Sequence, residues 1–148
     1  MTKEVLISIC GLQFESDDED RIESITSGIY YPKEHSQYIV FEEATEGFEE
    51  STKNTIKFQE GFLSLTKRGL MNVNMIFEKN KKTMTNYATP YGDILIGIDT
   101  RKVELTEEDE KISILVEYSL DVNYEHLADC NLTINIWPKE SGIHGNLI

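Results

Sequence analysis

The feature that most constrains the fold is a strict alternation of side chains between residues 112 and 122. Successive side chains of a β-strand point to opposite faces of the sheet, so a period of two over this length predicts a half-buried strand. Tyr118 is then expected to face the core, and Glu117 to face the other way. The apolar positions of the alternation are Ile112, Ile114, Val116, Tyr118, Leu120 and Val122.

The composition extends this prediction to the rest of the chain. The sequence contains 35 β-branched residues but only three alanines among its 148 residues. Branching at Cβ restricts side-chain rotamers in a helix and packs well on a pleated surface. Strand-like runs recur between turn signals such as Glu60-Gly61, which is typical of a hairpin. We therefore predict an all-β, antiparallel protein of about 8–10 strands.

Ten short strands with tight connections close into a barrel or fold into a sandwich, because an open sheet of that size would leave two long edges unpaired. The segment from Tyr124 to Asp129 is the one candidate for a short helical turn, with a wide loop as the alternative. A chain of this length fits a single domain over residues 1–148. We expect an ordered core over about residues 2–137 and a frayed tail over 138–148, since that tail has little to bury.

The charge of the chain is strongly acidic but unevenly distributed. The net charge is −13, which argues against a protein that holds nucleic-acid phosphates. Residues 51–82 nevertheless carry +5, and the remainder carries −18. The basic segment has two interpretations: solvated strand edges and hairpin tips, or a positive rim that attracts an anion, with Arg68 as a bidentate clamp.

Targeting signals and disulfides are not evident in the sequence. No apolar run approaches the ~18 residues of a membrane span, and the run after Lys3 is too short for a secretory signal. Two cysteines, Cys10 and Cys130, do not make a disulfide scaffold, and we expect free thiols. These features predict a cytoplasmic protein without a membrane partner, either a monomer or a homodimer.

Motifs for catalysis or metal binding are also missing from the sequence. The acidic stretch from Glu15 to Asp20 lacks the Gly and Glu spacing of a calcium-binding EF-hand loop. The three histidines are not spaced for zinc, and no phosphate-binding loop or Gly-x-Ser-x-Gly elbow occurs. We therefore predict no catalytic residue, no metal site and no cofactor.

Two spaced motifs resemble a known family. One is Thr89-Pro90-Tyr91-Gly92, preceded by Tyr87 and followed by residues 97–100, and the other covers residues 117–124. Together with the opening strand and the step Lys67-Arg68-Gly69, they resemble the YwiB-like family of small bacterial proteins, a domain of unknown function, over roughly residues 2–137. The resemblance implies a calycin-like closed β-barrel, similar in shape to lipocalins and fatty-acid-binding proteins, and a bacterial, cytoplasmic setting. It implies no activity.

A barrel of this kind predicts a small-molecule ligand, an anion among the candidates, bound inside the barrel or at its mouth. The rival hypothesis is a non-enzymatic interaction or scaffolding protein, whose barrel is filled by its own side chains and whose acidic surface meets a partner. A barrel packed solid near the candidate residues would exclude the first hypothesis. The candidate ligand-binding residues are Arg68, Tyr87, Thr89, Tyr91, Glu117 and Tyr118.

Overall fold

The computed structural model describes residues 3–11 and 23–139, and it folds them into ten antiparallel strands. The predicted all-β architecture is confirmed, and no helix occurs within the described residues. The strands are β1 (Lys3–Cys10), β2 (Glu23–Pro32), β3 (Gln37–Glu43), β4 (Thr52–Gln59), β5 (Phe62–Gly69), β6 (Val73–Glu78), β7 (Lys81–Thr89), β8 (Gly92–Glu108), β9 (Lys111–Val122) and β10 (Glu125–Pro138).

The ten strands form one sheet that winds into a nearly closed barrel. Its order is β6-β5-β4-β3-β2-β1-β10-β9-β8-β7, so consecutive strands are neighbours except β6 and β7, and β1 pairs with β10. The two edge strands, β6 and β7, approach each other at a bridge between Asn72, which immediately precedes β6, and Ala88 of β7. Hydrogen bonds of 2.9 and 3.0 Å join the backbones of these two residues. The sequence-based choice between barrel and sandwich is thereby decided in favour of the barrel.

Strand β9 has the burial that its alternation predicts. Ile114, Val116, Tyr118 and Leu120 are all buried, and the residues between them are only half-buried. Tyr118 therefore faces the core and Glu117 faces outward, as predicted. This strand pairs with β8 on one side and with β10 on the other, which places it in the most extensively paired part of the sheet.

Two segments differ from the sequence-based prediction. The sequence has separate strand-like runs at residues 94–98 and 102–105, which predict two strands, but both runs belong to one 17-residue strand, β8, with a register shift between Thr100 and Lys102. The segment from Tyr124 to Asp129 is neither a helical turn nor a wide loop, because β10 begins at Glu125. Asn123 and Tyr124 form the tight turn before it, with φ of 50° and 72°, as hairpin turns of the I′ type require.

The interior of the barrel is filled by its own side chains. Phe58, Phe77 and Tyr118 are fully buried, and the rings of Phe77 and Tyr118 meet edge to face at 5.0 Å. Cys130 lies opposite Tyr118 on β10, and burial raises the pKa of its thiol. The two cysteines do not form a disulfide with each other, and Cys130 is buried and Cys10 half-buried.

Several sequence-based expectations concern residues outside the described part of the chain. They include the acidic stretch at residues 15–20 and the tail from residue 140 onward. Pro138 and Lys139 are described: Pro138 ends β10, and the Lys139 amide donates to the Glu4 carbonyl at 3.0 Å. Residues 3–11 and 23–139 contain no helix long and apolar enough to cross a bilayer.

Candidate functional site

A pocket of about 450 Å³ opens at one end of the barrel. Three connections surround it: the β3–β4 connection at residues 44–51, the β5–β6 connection at 70–72 and the β7–β8 turn at 90–91. Strands β3, β7, β8 and β9 supply the rest of its lining from their ends at this side of the barrel. Because the interior below is occupied by core side chains, the pocket is a mouth site and not a channel through the barrel.

Aromatic and aliphatic side chains form most of the pocket wall. Tyr87 of β7 turns inward and is buried, with its hydroxyl 3.5 Å from the Met71 sulfur. Phe48 and Tyr91 reach the pocket from two different connections, and their rings meet edge to face at 6.1 Å. Aromatic rings offer a large apolar surface with a negative face, which suits apolar or cationic groups.

The turn between β7 and β8 holds its shape through Thr89. The Thr89 hydroxyl donates to the Gly92 carbonyl at 2.8 Å and accepts from the Tyr91 amide at 3.1 Å. Gly92 has a φ of 128°, a conformation that a side chain at Cβ would strain. The turn therefore fixes Tyr91 at the rim, where it is 87% exposed.

A buried polar network stands at the edge of the pocket. The Lys67 Nζ donates to Glu43 Oε1 at 2.8 Å and to Asn54 Oδ1 at 2.9 Å. The Asn54 amide nitrogen donates to the same Glu43 oxygen at 3.1 Å. Lys67 is 3% exposed and Glu43 is 27% exposed, and of these three residues Glu43 is the one that lines the pocket. A buried ammonium group requires such a partner, because an unpaired charge is costly to desolvate.

The pairing of the strands explains how these three residues meet. Asn54 of β4 is the direct partner of Lys67 of β5, and Glu43 of β3 is the partner of Thr52, two residues from Asn54. Side chains two residues apart on a strand share a face, so all three groups converge inside the barrel wall. Thr52 adds to this corner by accepting a hydrogen bond from the Met71 amide at 3.3 Å.

The candidate residues from the sequence fall into two groups. Tyr87, Thr89 and Tyr91 come together in the pocket lining. The other three do not reach it: Arg68 is exposed on β5, Glu117 faces outward and Tyr118 lies in the filled interior.

Sequence reasoning missed Glu43, which lines the pocket, and Lys67, which lies outside the lining and donates to the Glu43 carboxylate. The available signal was the alternation of β5, in which Leu63, Leu65 and Lys67 share the buried parity and Arg68 takes the exposed one. A basic residue in an apolar parity marks an inward charge that must have a partner. Among the described residues, the charged side chains in the pocket lining are Glu43 and Glu46, and two carboxylates do not complement an anion.

Other chemistry is sparse in the described chain. Within residues 3–11 and 23–139, no group of three or more His, Cys, Asp or Glu side chains is arranged to hold a metal ion. On the outer face, Lys82 forms an ion pair with Asp121 at 2.9 Å, and this hydrogen bond raises the pKa of the Lys82 ammonium group. Lys82 is exposed, Asp121 is half-buried, and both lie outside the pocket lining.

Comparisons with known proteins agree with this architecture. The family model described as "Domain of unknown function (DUF1934)" matches residues 7–134. The uncharacterized β-barrel protein YwiB of Bacillus subtilis (strain 168) is 26% identical over 131 residues, which cover 88% of each chain. The crystal structure of the ywiB protein from Bacillus subtilis superposes with a TM-score of 0.76 at 22% identity, covering 93% of this chain and 92% of the other.

Proposed function

The chain belongs to the DUF1934 family, whose function is unknown, and we propose that it binds a small, largely apolar molecule at the mouth of its barrel. The observation that carries this proposal is the pocket of about 450 Å³ with aromatic and aliphatic walls. Binding sites for small molecules usually measure about 300–1,000 Å³ and combine an apolar lining with a few placed polar groups. The size and the lining of this pocket both fit that description.

The proposal places the ligand at the mouth and not inside the barrel. Phe58, Phe77 and Tyr118 occupy the interior, and displacing such side chains would forfeit their packing. The mouth, by contrast, is lined by the ends of strands and by the connections between them. Side chains of these connections, such as Phe48 and Tyr91, can contact a ligand without any opening of the core. Tyr87 forms the floor, because it is the buried aromatic ring of the lining.

The rival function is a scaffold that uses its outer surface to bind a partner. The exposed side chains of Tyr124 and Leu127, near the same end of the barrel, are the observation in its favour. Isolated exposed apolar residues are common on protein surfaces, however, and do not need a partner to explain them. Small-molecule binding is therefore the better-supported function.

A neutral fluorescent probe tests the proposal. N-phenyl-1-naphthylamine becomes strongly fluorescent in apolar surroundings, and we expect the protein to bind it. Ala44→Trp places a large ring at the rim of the pocket without touching the core, and should weaken binding by about tenfold, or about 1.4 kcal/mol. Gln59→Trp, at the opposite end of the barrel, is the matched control and should leave the affinity unchanged.

Thermal unfolding of both variants checks that each is folded. Absence of probe binding by the wild-type protein, or equal affinity in the two tryptophan variants, would contradict binding at the mouth. In that case the acidic surface, and not the pocket, becomes the region to study.

A further inference from the structure

We propose that the ligand of this pocket carries an amino or ammonium group on its apolar body, and that Glu43 is the residue that binds this group. The inference rests on the proposed function and names the class of ligand. The Glu43 carboxylate accepts hydrogen bonds from two buried residues, Lys67 and Asn54, and Glu43 also lines the pocket.

Glu43 is fixed in place by two nearly inaccessible partners. Lys67 Nζ and Asn54 Nδ2 both donate to its Oε1 atom, at 2.8 and 3.1 Å. Within the described part of the chain, the hydrogen bonds of this carboxylate go to Oε1, which leaves Oε2 for a group in the pocket. An acceptor held in advance binds a donor without the cost of ordering it first.

The charges that line the pocket favour a cation over an anion. A ligand entering the mouth meets Glu43 and Glu46, and within residues 3–11 and 23–139 no Lys or Arg belongs to the lining. Lys67 lies behind Glu43, so an anion could reach it only by displacing that carboxylate. The displaced carboxylate would then lie beside the anion, and like charges in close proximity repel.

The aromatic wall supports the same choice. Phe48, Tyr87 and Tyr91 line the pocket together with the carboxylate. The negative faces of aromatic rings attract ammonium groups, and sites for organic ammonium ions commonly combine such rings with an acidic side chain. The net charge of −13 adds a long-range attraction for cations.

Three probes of matched shape test the inference: 2-phenylethylammonium, 2-phenylethanol and phenylacetate. Each is titrated into ¹⁵N-labelled protein, and the chemical-shift changes give both the affinity and the location. We expect the ammonium ion to bind at least tenfold more tightly than phenylacetate, with the alcohol between them, and with shifts at the pocket residues. Raising the salt concentration should reduce the difference.

Two variants assign the selectivity to Glu43. Glu43→Gln keeps the size of the side chain but removes its charge, and should lower the preference for ammonium over phenylacetate to about threefold or less. Glu42→Gln changes the neighbouring exposed glutamate, which lies outside the lining, and should leave the preference unchanged. Glu46→Gln changes a residue in an exposed loop and should reduce the preference by less than Glu43→Gln does. Because this position is exposed, the Glu46 variant still tests the effect of charge in the lining if Glu43→Gln fails to fold.

The outcomes separate the two proposals. Equal or tighter binding of phenylacetate, no detectable binding of the ammonium ion, or a preference that survives Glu43→Gln would overturn this inference. If the neutral naphthylamine probe still binds and Ala44→Trp still blocks it, the mouth remains a binding site for apolar molecules without selection for a cation.

Discussion

At the scale of single residues, two buried threonines form a matched pair. Thr52 and Thr100 are 0% and 1% exposed, but only the Thr52 hydroxyl has a hydrogen-bond partner among the described residues, the Met71 amide. A buried hydroxyl without a partner costs about 1–3 kcal/mol. We expect Thr100→Val to raise the free energy of unfolding by about 1 kcal/mol and Thr52→Val to lower it by about 1 kcal/mol, both measured by urea denaturation.

The opposite signs make this comparison informative, because the two substitutions are chemically identical. A destabilising Thr100→Val would mean that the hydroxyl has a partner in solution, such as a buried water molecule. Neither position could be distinguished from the sequence, since both threonines lie in strands and the difference depends on which backbone amide comes within reach.

At the scale of strands, the close approach of neighbours distinguishes two glycines. A Cβ atom at Gly28 of β2 would lie 2.7 Å from the Val40 carbonyl oxygen, which belongs to the backbone and cannot move aside. A Cβ atom at Gly97 of β8 would lie 2.8 Å from the Met84 sulfur, at the end of a flexible side chain that is 43% exposed. We expect Gly28→Ala to lower the free energy of unfolding by about 2 kcal/mol.

Gly97→Ala is the matched control and should change the free energy of unfolding by no more than about 0.5 kcal/mol, because Met84 can swing outward and alanine favours an ordered strand over glycine. Urea denaturation of both variants measures the difference. Equal destabilisation by the two substitutions would show that Met84 is as rigidly held as the backbone.

The strands of this molecule were the easiest part to predict from the sequence. The register shifts and turns that interrupt them were the hardest part to predict. The alternation over residues 112–122 identified β9 because one face of that strand is buried. The continuity of β8 was missed, because the register shift between Thr100 and Lys102 breaks the period of two. The turn at Asn123 and Tyr124 was missed because its positive φ angles occur at a tyrosine, a residue that rarely adopts them.

The residues of the candidate site also differ in how far the sequence predicts them. Tyr87, Thr89 and Tyr91 were named as candidates because they belong to the motif that resembles the YwiB-like family, and they lie close together around one turn. Glu43, Asn54 and Lys67 come from three successive strands, and only the register of β3, β4 and β5 brings them together. Register depends on loop lengths and packing, which a single sequence does not specify.

At the scale of the whole molecule, the barrel has one weakly paired seam, between β6 and β7. The first and last strands of the chain, β1 and β10, pair over six positions. Between β6 and β7 the described contacts are fewer: the Asn72–Ala88 bridge beside β6, and a hydrogen bond from the Thr83 hydroxyl to the Ile76 carbonyl. The turn between β6 and β7 does not link these two strands through Asn80, because the Asn80 amide donates to the Thr100 carbonyl of β8 at 2.8 Å. The barrel is therefore closed by the pairing of β1 with β10, and it is nearly open between the consecutive strands β6 and β7.

This arrangement predicts the pattern of amide hydrogen exchange. Amides of β6 and β7 that face the seam should exchange at least about tenfold faster than those of β9, which is paired on both sides, because unpaired backbone groups need no global opening to exchange. The Ala88 amide is the expected exception, since it donates to the Asn72 carbonyl. Strand β1 is the control, because it lies near a chain end but is paired on both sides and should exchange slowly. Slow exchange throughout β6 and β7, measured by NMR, would mean that the seam is closed in solution and that the barrel is continuous.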